Sequence, residues 1–395
     1  MKLNDIAYFV EDKISSENIK LDQYVTTDSL LQNKKGRTFA QNLPPQKCSL
    51  VHFKKGDVLL GNIRPYLKKI WYANIEGGCS QDVLVLRAKN NLESKFLYAL
   101  LMQDSFFDYE MKATKGSKMP RGDKSHIINF PCLDLNNKTE IGKLLSSLDD
   151  KIALNNRINA KLEQMAKRLY EHWFVQFDFP NTDGNPYKSS GGKMVWNEIL
   201  KREIPDGWEV GNLYDIAEYV NGLACQNYRP KESEKSLPVI KIREMNEGIT
   251  ADTEKVSASI PGKYRIYAGD ILFSWSASLE IKIWTGETGG LNQHIFKVIP
   301  KGYFSKGYVY QQLSAYLVNF QKMEESRKTT MGHITSDHIK QSRILIPPKE
   351  IISAFTKKTL SIFNYQLSIE KETQKLTALR DRLLPLLING QVEVN

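Results

Sequence analysis

Two stretches of the chain repeat each other, and this repeat constrains every fold that the chain can adopt. The stretch GDVLLGNIRPYLKKIW runs from Gly56 to Trp71, and GDILFSWSASLEIKIW runs from Gly269 to Trp284. Both open with Gly-Asp, an aliphatic residue and Leu, and both close with Lys-Ile-Trp, 213 positions apart. Because the ends agree while the middles differ, the pattern indicates one scaffold that carries two different surfaces.

The repeat extends over the whole sequence in constant order. Further pairs match at offsets of 210 to 214 positions: LNDIAYFV with LYDIAEYV, GGCSQDVLVL with GGLNQHIFKV, His-Ile at 126–127 with His-Ile at 338–339, and KLEQMAKRL with KLTALRDRL. A unit of this size exceeds the roughly 20–50 residues of solenoid repeats. We therefore predict a duplicated half-protein, in which each half is a domain followed by a helix.

Each half ends in a long amphipathic segment. Apolar residues recur at steps of three and four from Ile141 to Trp173 and again from Phe355 to Leu387, which predicts two long helices. Asn389-Gly390-Gln391 is a typical C-terminal stop. Both apolar seams are interrupted by polar residues, namely Asn155, Asn159, Gln366 and Thr373. Two equal stripes favour a coiled-coil pair whose polar residues fix the register. The alternative is two surface helices, each packed on its own domain.

The segments before these helices predict mixed α/β domains. Short strands are indicated by CSLVHF, DVLLGN, DVLVLRA, ILFSWS and HIFKVI. Helices are indicated at matching places in the two halves, over residues 92–111 and 305–323. The fold class is therefore α+β, with two mixed α/β domains in a pseudo-two-fold repeat.

Composition narrows the class of protein. The net charge is +10 over 395 residues, which favours a polyanionic partner such as nucleic acid, although basic metabolic enzymes exist too. The four cysteines lie far apart without a C-x-x-C pair, so neither structural zinc nor a disulfide framework is expected. We expect no signal peptide, no membrane span and a cytoplasmic location.

Familiar catalytic motifs are missing from the sequence. There is no Walker A loop, no G-x-G-x-x-G after a strand and no H-E-x-x-H. Asp270 with Glu280 and Lys282 follows the spacing of metal-dependent nucleases. The repeat argues against that interpretation, because Asp270 corresponds to Asp57 while Glu280 falls opposite Leu67. Both aspartates are better interpreted as parts of Gly-Asp turns that precede strands.

Basic and polar loops recur at matched places in both halves and predict DNA binding. Lysines and hydroxyls suit phosphates, while Arg, Asn and Gln pair with base edges. The candidates in the first half are Lys34, Lys35, Arg37, Arg64, Tyr66, Lys68, Lys69, Lys115, Ser117, Lys118 and Arg121. The candidates in the second half are Gln226, Arg229, Lys241, Arg243, Ser276, Lys282, Arg327, Lys328, Thr329 and His333.

Taken together, these signatures resemble the specificity subunit of Type I restriction-modification systems over essentially the whole chain. The resemblance is carried by L-x-D-I-A at the start of each half, by G-D-[IV]-L before a variable stretch, and by IPDGWEVGNL at 204–213. It is also carried by the helix ends QMAKRLYEHWF and TALRDRLLPLLINGQ. One departure is the short start of the first half, which lacks a counterpart of PDGWEVGN.

The resemblance implies a target-recognition domain at 1–139, a spacer helix at 140–178, a linker with the second recognition domain at 179–350, and a second spacer helix at 351–392. Each recognition domain would read one half of a bipartite site in double-stranded DNA. The helices would pair antiparallel as a spacer. A helix of about 35 residues is roughly 50 Å long, about one and a half turns of B-DNA. An unread gap of several base pairs is therefore expected.

The family also implies partners and excludes catalysis from this chain. Two modification subunits would supply adenine methylation with S-adenosylmethionine. Restriction subunits would supply ATP-driven translocation and cleavage, with Mg²⁺ also held on partner subunits and no cofactor on this chain. The apolar helix ends would dock the modification subunits or pack inside this chain, through Leu169, Tyr170, Trp173, Phe174, Leu383, Leu384 and Leu387. Two other classes stay open: the nuclease above and a non-enzymatic protein scaffold.

Overall fold

The chain forms two compact units. The computed structural model describes residues 1–114, 118–276, 278–326 and 334–394. One unit comprises Met1–Leu154 with Gln374–Asn395, and the other comprises Asn155–Thr373. The division falls inside both long helices, so each unit contains a segment of each helix. We call them the first unit and the second unit.

Helices and strands follow the repeat. The α-helices are α1 Leu3–Ile6, α2 Ser94–Leu101, α3 Asp104–Lys112, α4 Lys124–Ile127, α5 Lys138–Tyr170, α6 Leu213–Ile216, α7 Ile242–Glu247, α8 Lys306–Ser326, α9 Ser336–Lys340 and α10 Lys349–Ile388. The helix predicted over 92–111 is in fact two helices, because Gln103 has an extended backbone that separates α2 from α3. Within the described residues, no helix combines the length and the apolar run that a membrane crossing requires.

The first unit contains two four-stranded sheets. The strands are β1 Ala7–Phe9, β2 Lys13–Ser15, β3 Tyr24–Val25, β4 Ser49–Phe53, β5 Val58–Gly61, β6 Ile70–Tyr72, β7 Gly77–Cys79 and β8 Val83–Ala88. One sheet has the antiparallel order β1-β8-β5-β6, and the other has the order β2-β4-β7-β3. Leu60 packs into the core with α2 and α3, while Leu59 packs into the core with the second sheet. The first sheet is therefore buried on both faces.

The second unit repeats this arrangement. Its strands are β9 Met194–Asn197, β10 Arg202–Pro205, β11 Glu209–Gly211, β12 Ala217–Asn221, β13 Ser236–Ile240, β14 Lys255–Ser257, β15 Arg265–Ile266, β16 Ile271–Ser274, β17 Glu280–Ile283, β18 Gly289–Leu291, β19 Ile295–Pro300 and β20 Ile344–Ile346. The order β12-β19-β16-β17 matches the first sheet of the first unit. The other sheet has the order β14-β13-β18-β15, and its outer strand β14 lies beside β13, the strand parallel to β18. In the first unit the outer strand β2 lies instead beside β4, the strand antiparallel to β7.

The repeated Gly-Gly pairs are explained by close packing in these second sheets. A Cβ atom on Gly77 would lie 2.1 Å from the backbone oxygen of Gln23, on the segment that leads into β3. A Cβ atom on Gly289 would lie 2.5 Å from Cγ1 of Ile240 in β13. Only glycine permits approaches as short as these.

The predicted Gly-Asp turns are also present. Gly56 and Gly269 have φ of +96° and +93°, which side-chain-bearing residues rarely adopt. The carboxylate of Asp57 accepts the backbone N–H of Lys54 at 2.7 Å. The carboxylate of Asp270 accepts that of Tyr267 at 2.9 Å. The same turn therefore leads into β5 and β16.

The long helices pair through a polar seam in each unit. In the first unit, Arg380 donates to the Asp149 carboxylate at 2.9 Å. In the second unit, Asn155 donates to Glu372 at 2.8 Å and Asn159 donates to Glu370 at 3.0 Å. The residue numbers of the partners fall along α10 as those on α5 rise, so the two helices pair antiparallel.

Both helix ends follow from local sequence. After Tyr170, α5 continues into a π-helical turn, Glu171–Val175. At the end of α10, Gly390 has φ of +64°, and its N–H donates to the Leu387 carbonyl. Gln391 donates to the Leu386 carbonyl at 2.8 Å. These two bonds form a Schellman motif, so the predicted stop is confirmed.

The start of the first half is shorter than that of the second, but it makes the equivalent pairing. In the second unit, β11 pairs antiparallel with β20. In the first unit, Lys2 forms an isolated antiparallel bridge with Pro131, and Cys132 donates its N–H to the Met1 carbonyl at 3.1 Å. A short bridge therefore replaces the strand pair. The domain boundaries that the sequence suggested stay predictions.

We expect Gly77→Ala to lower the melting temperature of the protein, because the new Cβ would force β7 away from the backbone that precedes β3. Overpacking of this kind costs about 1–3 kcal/mol. Thermal unfolding monitored by circular dichroism measures it. Gly262→Ala is the control, because a Cβ there meets no atom within 4 Å. Equal melting temperatures for the two variants would contradict the explanation of the Gly-Gly pair.

Candidate nucleic-acid interface

Three loops of the first unit come together at one edge of its first sheet. Asn33 donates its N–H to the Leu67 carbonyl and Lys34 donates to the Lys68 carbonyl, both at 2.9 Å. Arg64 donates its N–H to the Pro120 carbonyl at 2.8 Å. Main-chain bonds therefore join loops that are far apart in sequence. We call the side chains on them the first-unit patch, defined as Lys34, Arg64, Tyr66, Lys68, Lys118 and Arg121.

One acid organises the lysines of this patch. The Asp104 carboxylate accepts the Lys34 ammonium at 3.0 Å and the Lys68 ammonium at 2.6 Å. Partial burial of Asp104 raises its pKa, but the hydrogen bonds from Lys68 and Lys34 outweigh that effect, so the pKa is lowered overall. The side chain of Asp104 remains 62% exposed. A negative charge therefore lies within the basic surface and fixes the positions of two cations.

The backbone of the patch is held in an unusual conformation. Arg64 and Lys68 have φ of +52° and +50°, in the left-handed region that non-glycine residues avoid. Arg64 is exposed, as is Tyr66 at 50%. Such strain persists only where the surrounding structure imposes it, and it clusters at functional sites.

The loop of residues 118–122 completes the first-unit patch. Lys118 is exposed, and Arg121 forms an ion pair with Asp82 at 3.2 Å. Asp82 directly precedes β8 and its backbone carbonyl accepts the N–H of Asn62 at 2.9 Å. The patch is therefore continuous from Lys34 to Arg121.

Three predicted candidates of the first half lie outside this patch. Lys69 is buried and donates to the Thr27 carbonyl at 2.5 Å. Arg37 stacks over the Trp71 ring at 4.4 Å and donates to the Asp22 carbonyl, and burial lowers its pKa. Lys35 is exposed on the first loop. The contacts of Lys69 and Arg37 are structural, and a DNA-binding role for these three stays a prediction. The candidates Lys115, Ser117, Arg327, Lys328, Thr329 and His333 lie outside the described residues.

The second unit gathers its basic residues around another acid. Lys241 forms an ion pair with Glu254. The hydrogen bond that Lys241 donates in this ion pair lowers the pKa of Glu254, and the positive charges of Lys241, Arg229 and Arg243 lower it further. A cleft of about 280 Å³ lies here and is lined by Gln226, Arg229 and Glu254 among others. We call Gln226, Arg229, Lys241 and Arg243 the second-unit patch.

The remaining candidates of the second unit lie on the β16–β17 hairpin. Lys282 is half-buried and pairs with Leu272 across the two strands. Ser276 is buried just after β16. Their roles in DNA binding stay predictions.

Trp275 was not among the predicted DNA-binding candidates, although it lies where two loops of the second unit meet. Its indole N–H donates to Asn221 at 3.0 Å, and its ring packs against His294 with centroids 5.5 Å apart. Its carbonyl accepts the N–H of Ile334 at 3.0 Å, as the Asn62 carbonyl accepts that of Gly122 at 3.1 Å. The repeat already aligned Trp275 with Asn62, which was the available signal. The acids Asp104 and Glu254 left no such signal.

The nuclease alternative fails on geometry. Glu280 pairs with Ser274, four residues along β16 from Asp270, or about 13 Å at the rise of a strand. Asp270 forms ion pairs with Lys297 at 3.0 Å and Lys306 at 3.3 Å. The described residues contain no group of three or more metal-ligating side chains. Asp270 and Glu280 therefore do not form one metal site.

The predicted docking residues at the helix ends pack within their own units. Tyr170, Trp173 and Phe174 are buried in the core of the second unit, with Leu169 against it. Leu387 is buried in the core of the first unit, with Leu383 and Leu384 against it. Packing accounts for their apolar character, and docking by these residues stays a prediction.

The comparison with known families decides the identity. The family model described as the Type I restriction modification DNA specificity domain matches residues 1–164 and 205–379. The chain belongs to this family. It is a specificity subunit, and it functions in DNA sequence recognition within Type I restriction-modification complexes.

Individual relatives agree with this assignment. The specificity subunit is 27% identical to the HindI specificity subunit of Haemophilus influenzae, over 93% of this chain and 94% of that protein. It is 25% identical to the MjaIX specificity subunit of Methanocaldococcus jannaschii, over 88% and 80%. The crystal structure of the S subunit from M. genitalium has the same fold, with a TM-score of 0.57, 14% identity and coverage of 100% and 96%.

We expect Asp104→Asn to steepen the salt dependence of DNA binding by the specificity subunit. Removal of the carboxylate frees the Lys34 and Lys68 ammonium groups for phosphates, and each additional phosphate contact changes the slope of log K against log salt by about −0.9. Affinity measured across a salt series gives this slope. Asp108→Asn is the control, because Asp108 is exposed on the same helix. An unchanged slope would show that Asp104 does not keep the two lysines from phosphates.

Proposed function

We propose that the first-unit patch reads one half of a bipartite DNA site and that the second-unit patch reads the other half. The observation that carries the proposal is the convergence of Lys34, Arg64, Lys68 and Arg121 on loops joined by main-chain hydrogen bonds. Loops that are fixed in this way present side chains with little loss of entropy on binding.

The side chains of each patch suit two different kinds of DNA contact. Lys34 and Lys68 suit phosphates, since ammonium groups act as point charges. Arg64 and Arg121 suit base edges, because a guanidinium forms bidentate bonds with guanine. In the second-unit patch, Lys241 suits phosphates, and Gln226 and Arg229 suit base edges.

Partner subunits supply the chemistry in this proposal. The specificity subunit is non-catalytic and works in the cytoplasm with two modification subunits and restriction subunits. These partners hold S-adenosylmethionine, ATP and Mg²⁺. The paired helices set the spacing between the half-sites.

Methylation mapping by single-molecule sequencing tests the proposed reading, in cells that carry the subunit with its cognate modification subunit. We expect a split motif with adenine methylation that is lost when this chain is deleted. Arg64→Ala should relax one half-site and Arg229→Ala the other, since one lost bidentate contact costs about 1–3 kcal/mol of discrimination. A continuous motif, or one that persists without the chain, would overturn the proposal.

We further propose that modification subunits bind apolar residues that the long helices leave exposed. In the second unit these are Met165, Leu360 and Tyr365, exposed by 56%, 54% and 51%. Contiguous apolar patches on a protein surface mark contact with another protein.

We expect Leu360→Lys to weaken co-purification of the modification subunit at least tenfold, because the substitution places a charge in the proposed interface. Ser361→Lys adds the same charge at the exposed neighbouring residue and serves as the control. Pull-down with tagged modification subunit measures the difference. Equal capture of both variants would exclude Leu360 from the interface.

A further inference from the structure

A carboxyl group is buried without a partner beneath the first-unit patch. Glu110 lies on α3 and is 0% exposed. Among the residues that the structure describes, neither of its carboxyl oxygens has a hydrogen-bond partner. An ionised carboxylate in such a place would be strongly disfavoured, so the group needs a different explanation from the surface acids.

A second unpartnered oxygen lies next to it. Oδ1 of Asn62 is also buried without a hydrogen-bond partner. Both oxygens face Gly122: a Cβ atom there would lie 2.4 Å from Oε1 of Glu110 and 2.9 Å from Oδ1 of Asn62. Two acceptors therefore meet at one glycine, and no described residue donates a hydrogen bond to either of them.

This pair lies at the joint between two loops of the patch. Gly122 donates its N–H to the Asn62 carbonyl at 3.1 Å, and Ile63 bridges Arg121. Arg64 and Arg121 are thus held by the backbone segments that cover Glu110. A change at Glu110 would be transmitted to both arginines.

We propose that Glu110 is a positioning residue for DNA recognition: as a neutral carboxylic acid it donates its proton to Oδ1 of Asn62 and so holds the Arg64 and Arg121 loops together. The proposal rests on the proposed function, because it assigns these loops to DNA. The shared proton gives one carboxyl oxygen of Glu110 and Oδ1 of Asn62 a partner each, and glycine at 122 leaves the space for the contact.

The ionisation of Glu110 is consistent with this role. Burial raises its pKa to about 8 and no charged neighbour contributes to the shift. The titratable or charged groups on the surrounding elements are Asp104, Asp108, Tyr109 and Lys112 on α3, Arg64 and Asp82 on the neighbouring loops, and Arg121, Asp123, Lys124 and His126 around Gly122. Arg121 pairs with Asp82, and His126 stacks on Tyr109.

The direction of the pH dependence follows from this raised pKa. The unfolded chain ionises Glu110 near its ordinary value of 4.5, whereas the folded chain retains the proton up to about 8. The stability of the protein is therefore unaffected by this group below about pH 4.5, falls between the two values, and is constant above about 8. Glu110→Gln removes this dependence.

The experiment measures DNA affinity from pH 6.5 to 9 with the full chain in complex with its modification subunit, on a duplex that carries the mapped site. If only the neutral form holds the loops, wild type binds about tenfold more weakly at pH 9 than at pH 7. Glu110→Gln should show no such fall, because an amide N–H donates to Asn62 at every pH. Asp108→Asn should follow the wild type.

A fall in Glu110→Gln equal to that of wild type would overturn the proposal. Asn62→Ala gives a second test, since loss of the acceptor should weaken binding at pH 7 and remove the further fall towards pH 9; a retained fall would likewise overturn it. Melting temperatures without DNA separate this proposal from the proposed function. A pH step in melting that Glu110→Gln abolishes, together with an Arg64→Ala variant that reads its half-site normally, would reject the assignment of the loops to DNA.

Discussion

Burial of both faces of the central sheet in each unit is the constraint on which the rest of the structure depends. In β5, Leu60 packs with α2 and α3 while Leu59 packs with the second sheet. In β16, Phe273 and Leu272 are divided in the same way. Because neither face is free, the side chains of the two patches come from segments between the strands. Loops on a rigid scaffold are where binding residues generally lie.

These loops carry like charges, and acidic side chains in contact with each patch offset their repulsion. Asp104 holds two lysines in the first unit, and Glu254 holds Lys241 near Arg229 in the second. The acid reduces the net charge available for steering DNA. In exchange it holds long, flexible side chains in defined positions.

Much of the scaffold was predictable because it repeats. The Gly-Asp turns, the long helices and the stop at Gly390 each follow from local backbone requirements that leave a mark on the sequence. The patches were predictable only in part. Lys69 and Arg37 have the same composition signal as Lys68, but their partners are Thr27 and Trp71, which are distant in sequence. Glu110 left no signal, since its surroundings arise only when α3 meets the Gly122 loop.

The two units share one backbone hydrogen bond between loops, but different side chains lie next to it. In the first, the carbonyl of Asn62 accepts Gly122 over a buried carboxyl group; in the second, the carbonyl of Trp275 accepts Ile334, and the indole packs against His294. The repeated backbone determines where the two loops of each unit meet, and the neighbouring side chains determine how strongly the loops are held together. Because these side chains contact neighbours within their own unit, a change in one joint leaves the other unit's packing intact. Under the proposed assignment of one half-site to each unit, one half-site can then be altered without loss of the other.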